Sequence, residues 1–362
     1  MTTMHRRAFL ARSLGGLVLL GGGSALLAAC SGSDGESTGG SDGPRSLTFR
    51  LSYTHGVSFA GTYLAIADGF YAAQGFDTVE LVEGGPTATP TPIDVAVGKA
   101  LIGVASSPDQ VATARLNGGA GVKIVGALYQ KNPYCVTSLA SSPIRTPQDM
   151  VGKTIGVQAV NETVWAAFLA GAGVDPASVR TVPVQFDPTP LTAGEVDGWF
   201  SFVTNEPVTL AAAGHAVTTL LLADHGYPLV AQVYVADESS LAGDRRADVL
   251  ACLTAEIEGW IAAIKDPDRA ATIAIEQYAP DLGLDAAVQS EIARVQTGLV
   301  VTDDTRRSGI MTVTDELVAQ NIATLADSGL DITAEDLFDL SLLAEIYSAR
   351  PELATALADV AG

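Results

Sequence analysis

The stretch SLTFRLSYTHGVSFAGTYLAIADGFYAAQGFDTVELVEG, residues 46–84, decides the fold class. Two strand-like runs, 46–53 and 78–84, flank a longer helix-like segment at 59–75. A strand, a helix and a second strand in this order predict a parallel βαβ unit, because parallel neighbours need a crossover of about a dozen or more residues.

The same alternation recurs along most of the chain. Further strand-like runs lie at 100–107, 122–129, 153–157, 179–184 and 198–203, with helix-like segments between most of them. A last run at 229–237 gives way to helices, the first of which carries apolar residues at helical spacing: Val249, Leu253, Ile257, Trp260, Ile261 and Ile264. The sequence therefore predicts an α/β fold of two similar halves with mostly parallel sheets, followed by a helical C-terminal region.

The charge of the chain argues against one class of partner. There are 20 Lys and Arg residues against 41 Asp and Glu, a formal net charge of −21. Three of the cations, Arg6, Arg7 and Arg12, lie in the first 29 residues, where there is no acid, so the remainder is more acidic than the whole. Such a surface repels the phosphate backbone, and we expect no nucleic-acid partner.

The N-terminal segment has the pattern of an export signal. The basic stretch MTTMHRRAFLAR precedes an apolar stretch at 13–29, as in a secretory signal peptide, and Arg6-Arg7 resembles the twin-arginine signature. LAAC at 27–30 resembles a bacterial lipoprotein box, in which cleavage precedes a lipid-bearing cysteine, here Cys30. Gly, Ser and acids dominate residues 31–43, which predicts a flexible tether.

These features predict a signal peptide at 1–29, then the lipidated Cys30 and a linker at 30–44. The predicted location is extracytoplasmic, lipid-anchored to the outer face of the cytoplasmic membrane. The alternative is an uncleaved N-terminal anchor. Two more cysteines, Cys135 and Cys252, lie in apolar contexts, which leaves both a disulfide and two buried thiols open.

Several motifs, in order, resemble one known family. They are YTH at 53–55, GTYLA at 61–65, DGFY at 68–71, GKALIGVASSPDQV at 98–111, IRTPQDMVGKTIGV at 144–157, GEVD at 194–197 and TNEP at 204–207. Together they resemble the NMT1/THI5-like (SsuA/THI5) solute-binding family. The resemblance implies a two-lobed, type II periplasmic-binding-protein fold with the ligand in the cleft between the lobes.

The resemblance also predicts the domain boundaries and the partners. Lobe 1 is expected at 45–136 plus 229–362 and lobe 2 at 137–228, with hinge crossings near 135 and 229. The expected partners are a small-molecule solute and the permease and ATPase subunits of an ABC importer. We expect a monomer without cofactor or metal.

Candidate ligand-binding residues follow the predicted strands, because ligands of α/β sheets bind at the carboxyl ends of the strands. Aromatic and polar side chains that can stack or hydrogen-bond make up this set: Tyr53, His55, Phe59, Tyr63, Ser106, Ser107, Tyr129, Gln130, Gln158, Asn161, Glu162, Trp199, Asn205 and Glu206.

Several of these residues also have a purely structural interpretation. Phe59, Tyr63 and Trp199 are of the type that fills cores. Asn205 and Glu206 before Pro207 could form only a helix cap and first turn. Capping and ligand binding can coexist, and Glu206 is the principal candidate.

The acids narrow the class of solute. Glu206 and Glu162 in a closing cleft would repel an oxyanion, whereas a flat ring with N–H donors would pair with a carboxylate and stack on an aromatic ring. The TNEP motif resembles that of thiamine-pyrimidine-precursor and riboflavin binders in the family, so the resemblance implies a heteroaromatic solute. The alternative is a nitrate, sulfonate or taurine binder.

An enzymatic function lacks its expected residues. Fungal members of the superfamily make the pyrimidine phosphate with a Lys that holds pyridoxal phosphate, a reacting His and a cysteine-rich segment. The corresponding stretches here, 105–110 and 230–234, contain no Lys, His or Cys. Metalloprotease and hydrolase motifs are also absent from the sequence, which leaves a binding protein, or an adhesion lipoprotein, as the expected class.

Overall fold

A computed structural model describes residues 45–85 and 87–360 of the chain. The predicted signal peptide, the lipidated Cys30 and the whole linker lie outside the described residues, so they stay predictions. Within the described residues, no helix is both long and apolar enough to cross a membrane.

The described residues form two five-stranded sheets. Sheet A has the order β2-β1-β3-β10-β4 and sheet B has the order β7-β6-β8-β5-β9. The strands are β1 Ser46–Arg50, β2 Thr78–Val82, β3 Ile102–Ala105, β4 Val122–Tyr129, β5 Tyr134–Leu139, β6 Thr154–Gln158, β7 Arg180–Val184, β8 Gly198–Phe202, β9 Val217–Leu221 and β10 Ala231–Asp237.

The two sheets repeat one pattern. Each has one reversed strand, fourth in the order, that runs antiparallel to its two neighbours: β10 in sheet A and β5 in sheet B. The chain passes from sheet A to sheet B between β4 and β5 and returns between β9 and β10. The prediction of two similar, mostly parallel α/β halves is confirmed, and each reversed strand is the one that follows a crossing.

Sixteen α-helices among the described residues cover the sheets and build the C-terminal region. They are α1 Ala60–Ala67, α2 Phe70–Ala73, α3 Thr91–Ala96, α4 Pro108–Gly118, α5 Glu162–Gly171, α6 Thr189–Thr192, α7 Glu206–Ala212, α8 Glu238–Ala242, α9 Arg246–Lys265, α10 Pro267–Ile273, α11 Ala286–Val300, α12 Asp303–Ser308, α13 Asp315–Asp327, α14 Ala334–Leu337, α15 Ser341–Ala349 and α16 Pro351–Ala354. A π-helical turn, Ala274–Tyr278, extends α10. The predicted apolar row on α9 is buried, as expected of core packing.

Most strands are shorter than the apolar runs that predicted them. The run at 46–53 ends as a strand at Arg50, because residues 51–53 turn out of the sheet toward a 3-10 turn, Val57–Phe59, and α1. Leu51 still donates its N–H to the Val82 carbonyl at 2.9 Å before the chain leaves the ladder. Leu51 is fully buried just beyond the strand, whereas Tyr53 is exposed. Cys135 and Cys252 are both buried free thiols.

A buried carboxylate on α9 connects this helix with α1, α2 and β10. Glu256 on α9 is fully buried and accepts hydrogen bonds from Thr62 Oγ1 of α1 at 2.8 Å and Tyr234 Oη of β10 at 2.6 Å. Tyr71 Oη donates to its other oxygen, and Trp260 Nε1 donates to Tyr234 Oη at 2.9 Å. Burial raises the pKa of Glu256, which these donors partly offset. The network fixes α1 and α9 against β10.

Tyr234→Phe should destabilise the protein by about 1–3 kcal/mol, because it removes a donor to a buried carboxylate and leaves Trp260 Nε1 without its acceptor. Urea unfolding measures the change. Tyr53→Phe is the matched control, since Tyr53 is 54% exposed and its hydroxyl should contribute almost nothing. Equal unfolding free energies for the two variants would contradict the role assigned to the network.

Glu256→Gln should change how stability depends on pH. A raised folded-state pKa means that wild-type stability falls as the pH rises from the ordinary glutamate value, about 4.3, through the raised value. The variant cannot ionise, so its stability relative to wild type should improve over that window and then level off. Urea unfolding across the pH range measures this, with the exposed Glu276→Gln as control. Parallel curves for wild type and Glu256→Gln would contradict the expectation.

Candidate functional site

The carboxyl edges of the two sheets define the candidate site. In sheet A, β1 pairs with β2 on one side and with β3 on the other. The segments that leave the carboxyl ends of β1 and β3 therefore run to opposite sides of this edge. In sheet B, β6 pairs in the same way with β7 and β8. Such divergence points form the crevices in which open α/β sheets bind ligands.

An aromatic cluster follows β1. His55 Nδ1 lies 2.9 Å from Tyr63 Oη, and the His55 N–H donates to Glu83 Oε1 at 2.8 Å. Tyr278 stacks on Tyr63 with ring centroids 3.8 Å apart and lies 5.6 Å from the His55 ring. Burial raises the pKa of Tyr63, so its hydroxyl stays protonated. The structure thus places His55 and Tyr63 together, whereas Tyr53 is exposed beside them.

Tyr278 was not predicted from the sequence. It ends the π-helical turn after α10, far along the chain from the β1 loop. Its segment has the pattern of one more packing helix, and no motif in the sequence identifies this tyrosine as a site residue. Only the packing of that turn against residues 57–59 brings it to the cluster.

Tyr63 is itself fully buried, and three further predicted aromatic residues lie in the interior, outside the cluster with His55. Phe59 is buried in the core cluster around α9, and Tyr129 Oη donates to Gln296 Oε1 of α11 at 2.7 Å. Trp199 is fully buried on sheet B in a small cluster with Leu191 and Val196. We do not include these three in the proposed site. Trp199 Nε1 has no hydrogen-bond partner among the described residues.

The loop after β3 carries the predicted serines and one further acid. Ser106 is half-buried and Ser107 is buried, at the start of α4. Asp109 lies in the first turn of α4 and is half-buried. Burial, and then the charge of Asp109, raise the pKa of Tyr134 to about 12. The same two causes raise the pKa of Tyr227.

Asp109 therefore lies near both tyrosines, which border the two crossings between the sheets. The acid follows the predicted serines directly and lies inside a motif that carries the family resemblance. Its place in the first helical turn after a strand was the signal that could have identified it.

The predicted amide side chains at the end of β6 and in the turn after it are hydrogen-bonded within the protein. Gln158 Nε2 donates to the Phe200 carbonyl at 3.0 Å, and Asn161 Nδ2 donates to Gln158 Oε1 at 2.9 Å. Both amides are buried, whereas Glu162 at the start of α5 is exposed. After β4, Gln130 Nε2 donates to the Ala127 carbonyl at 2.8 Å and is buried in the same manner.

Glu206 begins α7 directly after the turn that follows β8. Its side chain is 5% exposed, and Oε2 accepts the Phe202 N–H at 2.9 Å. Burial raises the pKa of Glu206, while this hydrogen bond favours the ionised form. Asn205 before it is exposed and makes no side-chain cap. The carboxylate is thus held inside the protein at the carboxyl edge of sheet B.

The cations at the ends of β1 and β4 already have partners. Arg50, the last residue of β1, is 3% exposed and donates from Nε to Asp94 Oδ2 at 2.9 Å. Its remaining nitrogens donate to the Val82 and Thr89 carbonyls. Lys131 Nζ after β4 lies 2.6 Å from Asp224 Oδ1. Neither side chain carries an unpaired positive charge into the site.

A likeness to proteins of known function covers most of the chain. The curated relative "Riboflavin-binding protein RibY" of Chloroflexus aurantiacus is 27% identical over 258 residues, 68% of this chain and 70% of that protein.

Two solved structures share the fold. The periplasmic aliphatic sulphonate binding protein SsuA from Escherichia coli matches with a TM-score of 0.60 and 16% identity, over 83% of this chain and 92% of that chain. The desulfurization enzyme DSZB matches with a TM-score of 0.56 and 14% identity, over 84% and 99%.

The fold is thus shared by binding proteins and by at least one enzyme, and at these identities the likeness establishes the architecture alone. A family model described as "NMT1/THI5 like" matches residues 57–270, more than half of the sequence. That span includes β2 to β10, both crossings and Glu206. His55 lies just before it. The chain therefore belongs to the NMT1/THI5-like family.

Proposed function

We propose that this protein is the extracytoplasmic solute-binding component of an ABC importer and that it captures a small heteroaromatic solute between its two sheets. Family membership and the likeness to a riboflavin-binding protein support this assignment. The periplasmic SsuA neighbour supports the extracytoplasmic location. Cys30 would carry the lipid anchor, and the permease and ATPase subunits would receive the solute from a monomeric binding protein.

One observation carries the choice of solute. The helices that begin at the carboxyl ends of β3, β6 and β8 each have an acid in the first turn: Asp109 on α4, Glu162 on α5 and Glu206 on α7. A helix N-terminus attracts anions, and a carboxylate already placed there takes up that attraction. These edges therefore favour a solute that brings hydrogen-bond donors.

The aromatic cluster supplies the second half of the recognition. His55, Tyr63 and Tyr278 lie at the edge of sheet A with Tyr53 exposed beside them. A flat ring gains about 1–3 kcal/mol by stacking on an aromatic side chain. One hydrogen bond to a charged group adds about 1.5–3 kcal/mol. Together they supply a large share of the roughly 8 kcal/mol that micromolar affinity requires.

A sulfonate or nitrate binder is the second candidate, and the fold of SsuA favours it. An oxyanion needs arginine, lysine or free backbone N–H groups. Arg50 is bound to Asp94 and two carbonyls, Lys131 is paired with Asp224, and the helix starts at the edges carry acids. The charges at these edges oppose such a solute.

Titration calorimetry with riboflavin, the thiamine pyrimidine and ethanesulfonate tests the choice between the two candidates. We expect riboflavin or the pyrimidine to bind with micromolar or tighter affinity and ethanesulfonate to give no measurable heat. The donors of the heteroaromatic rings match the acids, whereas the sulfonate is repelled. Tight binding of ethanesulfonate alone would overturn the heteroaromatic assignment.

Glu206→Gln should weaken binding of the heteroaromatic solute by about tenfold or more, because a charge-assisted hydrogen bond becomes a neutral one. Calorimetry measures the affinity, and thermal unfolding checks that the variant is folded. Glu195→Gln is the matched control, since this exposed glutamate lies just before β8, at the opposite edge of sheet B. An unchanged affinity for folded Glu206→Gln would remove Glu206 from the site.

We propose a binding function and not catalysis, although DSZB shares the fold. His55 lies within hydrogen-bonding distance of Tyr63, and the positions that would hold the lysine and histidine of the pyrimidine-phosphate synthases carry serine, proline and acid. A solute-dependent change in tryptophan fluorescence would support lobe closure around a ligand. Conversion of riboflavin or the pyrimidine to a new product in the presence of the protein would refute this part of the proposal.

A further inference from the structure

Gln232 lies where three segments of sheet A meet. It is the second residue of β10, and its N–H donates to the Ser106 carbonyl directly after β3 at 2.9 Å. Its side-chain Oε1 accepts the hydroxyl of Ser52, which follows β1, at 3.2 Å. Gln232 thus spans the point at which the connections of β1 and β3 diverge.

The backbone of Gln232 is in an unfavourable conformation. Its φ is +49°, inside a strand whose neighbouring residues Ala231 and Val233 are buried. A positive φ is uncommon for any residue with a Cβ, and among the described residues Met311 is the other non-glycine that adopts it. Such conformations persist where the surrounding structure enforces them, and they concentrate at ligand-binding sites.

The hydrogen bond from Ser52 fixes which way the amide is oriented. Because Oε1 accepts the serine hydroxyl, the Nε2 amino group and its two N–H donors face away from Ser52. Among the described residues, none accepts a hydrogen bond from Nε2, and Ser52 bonds to Oε1. The side chain is half-buried, so these donors are held near the carboxyl edge without a protein acceptor.

Ser52 is itself held in place by close backbone packing. A Cβ at Gly84, just after β2, would lie 2.4 Å from the Ser52 carbonyl, so only glycine allows the two loops to approach this closely. Gly84 also donates its N–H to the Tyr53 carbonyl at 3.0 Å. The acceptor side of Gln232 is therefore anchored to a rigid pair of loops.

We propose that Gln232 is a solute-binding residue whose amide N–H groups donate to a carbonyl or ring-nitrogen acceptor of the solute. This inference rests on the proposed function and narrows it. Acids at the helix starts accept from the solute, and Gln232 donates to it. The complementary solute is a flat ring whose polar edge carries N–H donors beside carbonyl-type acceptors, as an imide or lactam does.

Two variants test the proposal with riboflavin as the probe. Gln232→Glu keeps the shape and the acceptor for Ser52 but replaces both donors with an acceptor oxygen, and we expect at least a tenfold loss of affinity. Gln232→Gly relaxes the positive φ and removes the amide, and we expect a higher Tm together with about three- to tenfold weaker binding. Gln148→Glu, an exposed position before β6, is the matched control and should change neither quantity.

The outcomes separate this inference from the proposed function. If wild type binds riboflavin and both Gln232 variants bind it equally well, Gln232 is not a binding residue and the proposed function stands. If wild type binds ethanesulfonate but neither riboflavin nor the pyrimidine, the heteroaromatic assignment and the acceptor chemistry proposed for Gln232 both fail. If no probe binds, the proposed function fails. Separately, an unchanged Tm for Gln232→Gly would show that the positive φ at this position carries no strain.

Discussion

The structure depends on the placement of β10 as the reversed strand of sheet A, between β3 and β4. This strand follows all of sheet B in the sequence, and it lies between β3 and β4 and pairs with both. Closing so long a loop costs conformational entropy, which the two ladders and the burial of β10 must offset. The hydroxyl of Tyr234 bonds to Glu256, so the same strand also fixes the helices α1 and α9.

The placement of β10 also explains where the candidate site lies. β5 is the equivalent reversed strand of sheet B, so the two crossings tie the sheets together next to their carboxyl edges. Val208 of α7, which starts at the edge of sheet B, packs with the core cluster of sheet A. A solute bound between these edges would touch both halves of the chain, which is the geometry that a closing binding protein requires.

The proposed choice of solute rests on the charges at the two edges. Acids occupy the starts of α4, α5 and α7, and Arg50 is buried against Asp94. Each arrangement is stabilising within the protein, since a carboxylate at a helix start and a buried ion pair both have compensated charges. The same compensation removes the positive potential that an oxyanion needs, and it leaves acceptors for a donor-bearing ring.

The sequence by itself determined the α/β class, the two similar halves and the positions of most strands, because hydrophobic periodicity is a local property. Its motifs also predicted His55, Tyr63 and Glu206 as site residues, and the structure places His55 beside Tyr63 and Glu206 at the start of α7. It could not separate Phe59 and Trp199 from ligand contacts, since an aromatic residue after or within a strand has the same pattern whether it faces a core or a cleft.

Only the tertiary structure decided which distant residues meet. Tyr278 reaches His55 through the packing of a π-helical turn, and Gln232 adopts a positive φ near the start of β10, a strand that pairs with both β3 and β4. Both depend on contacts between segments far apart in the chain. Local sequence patterns carry no record of such contacts, because the energy that enforces them is shared among many residues of the folded core.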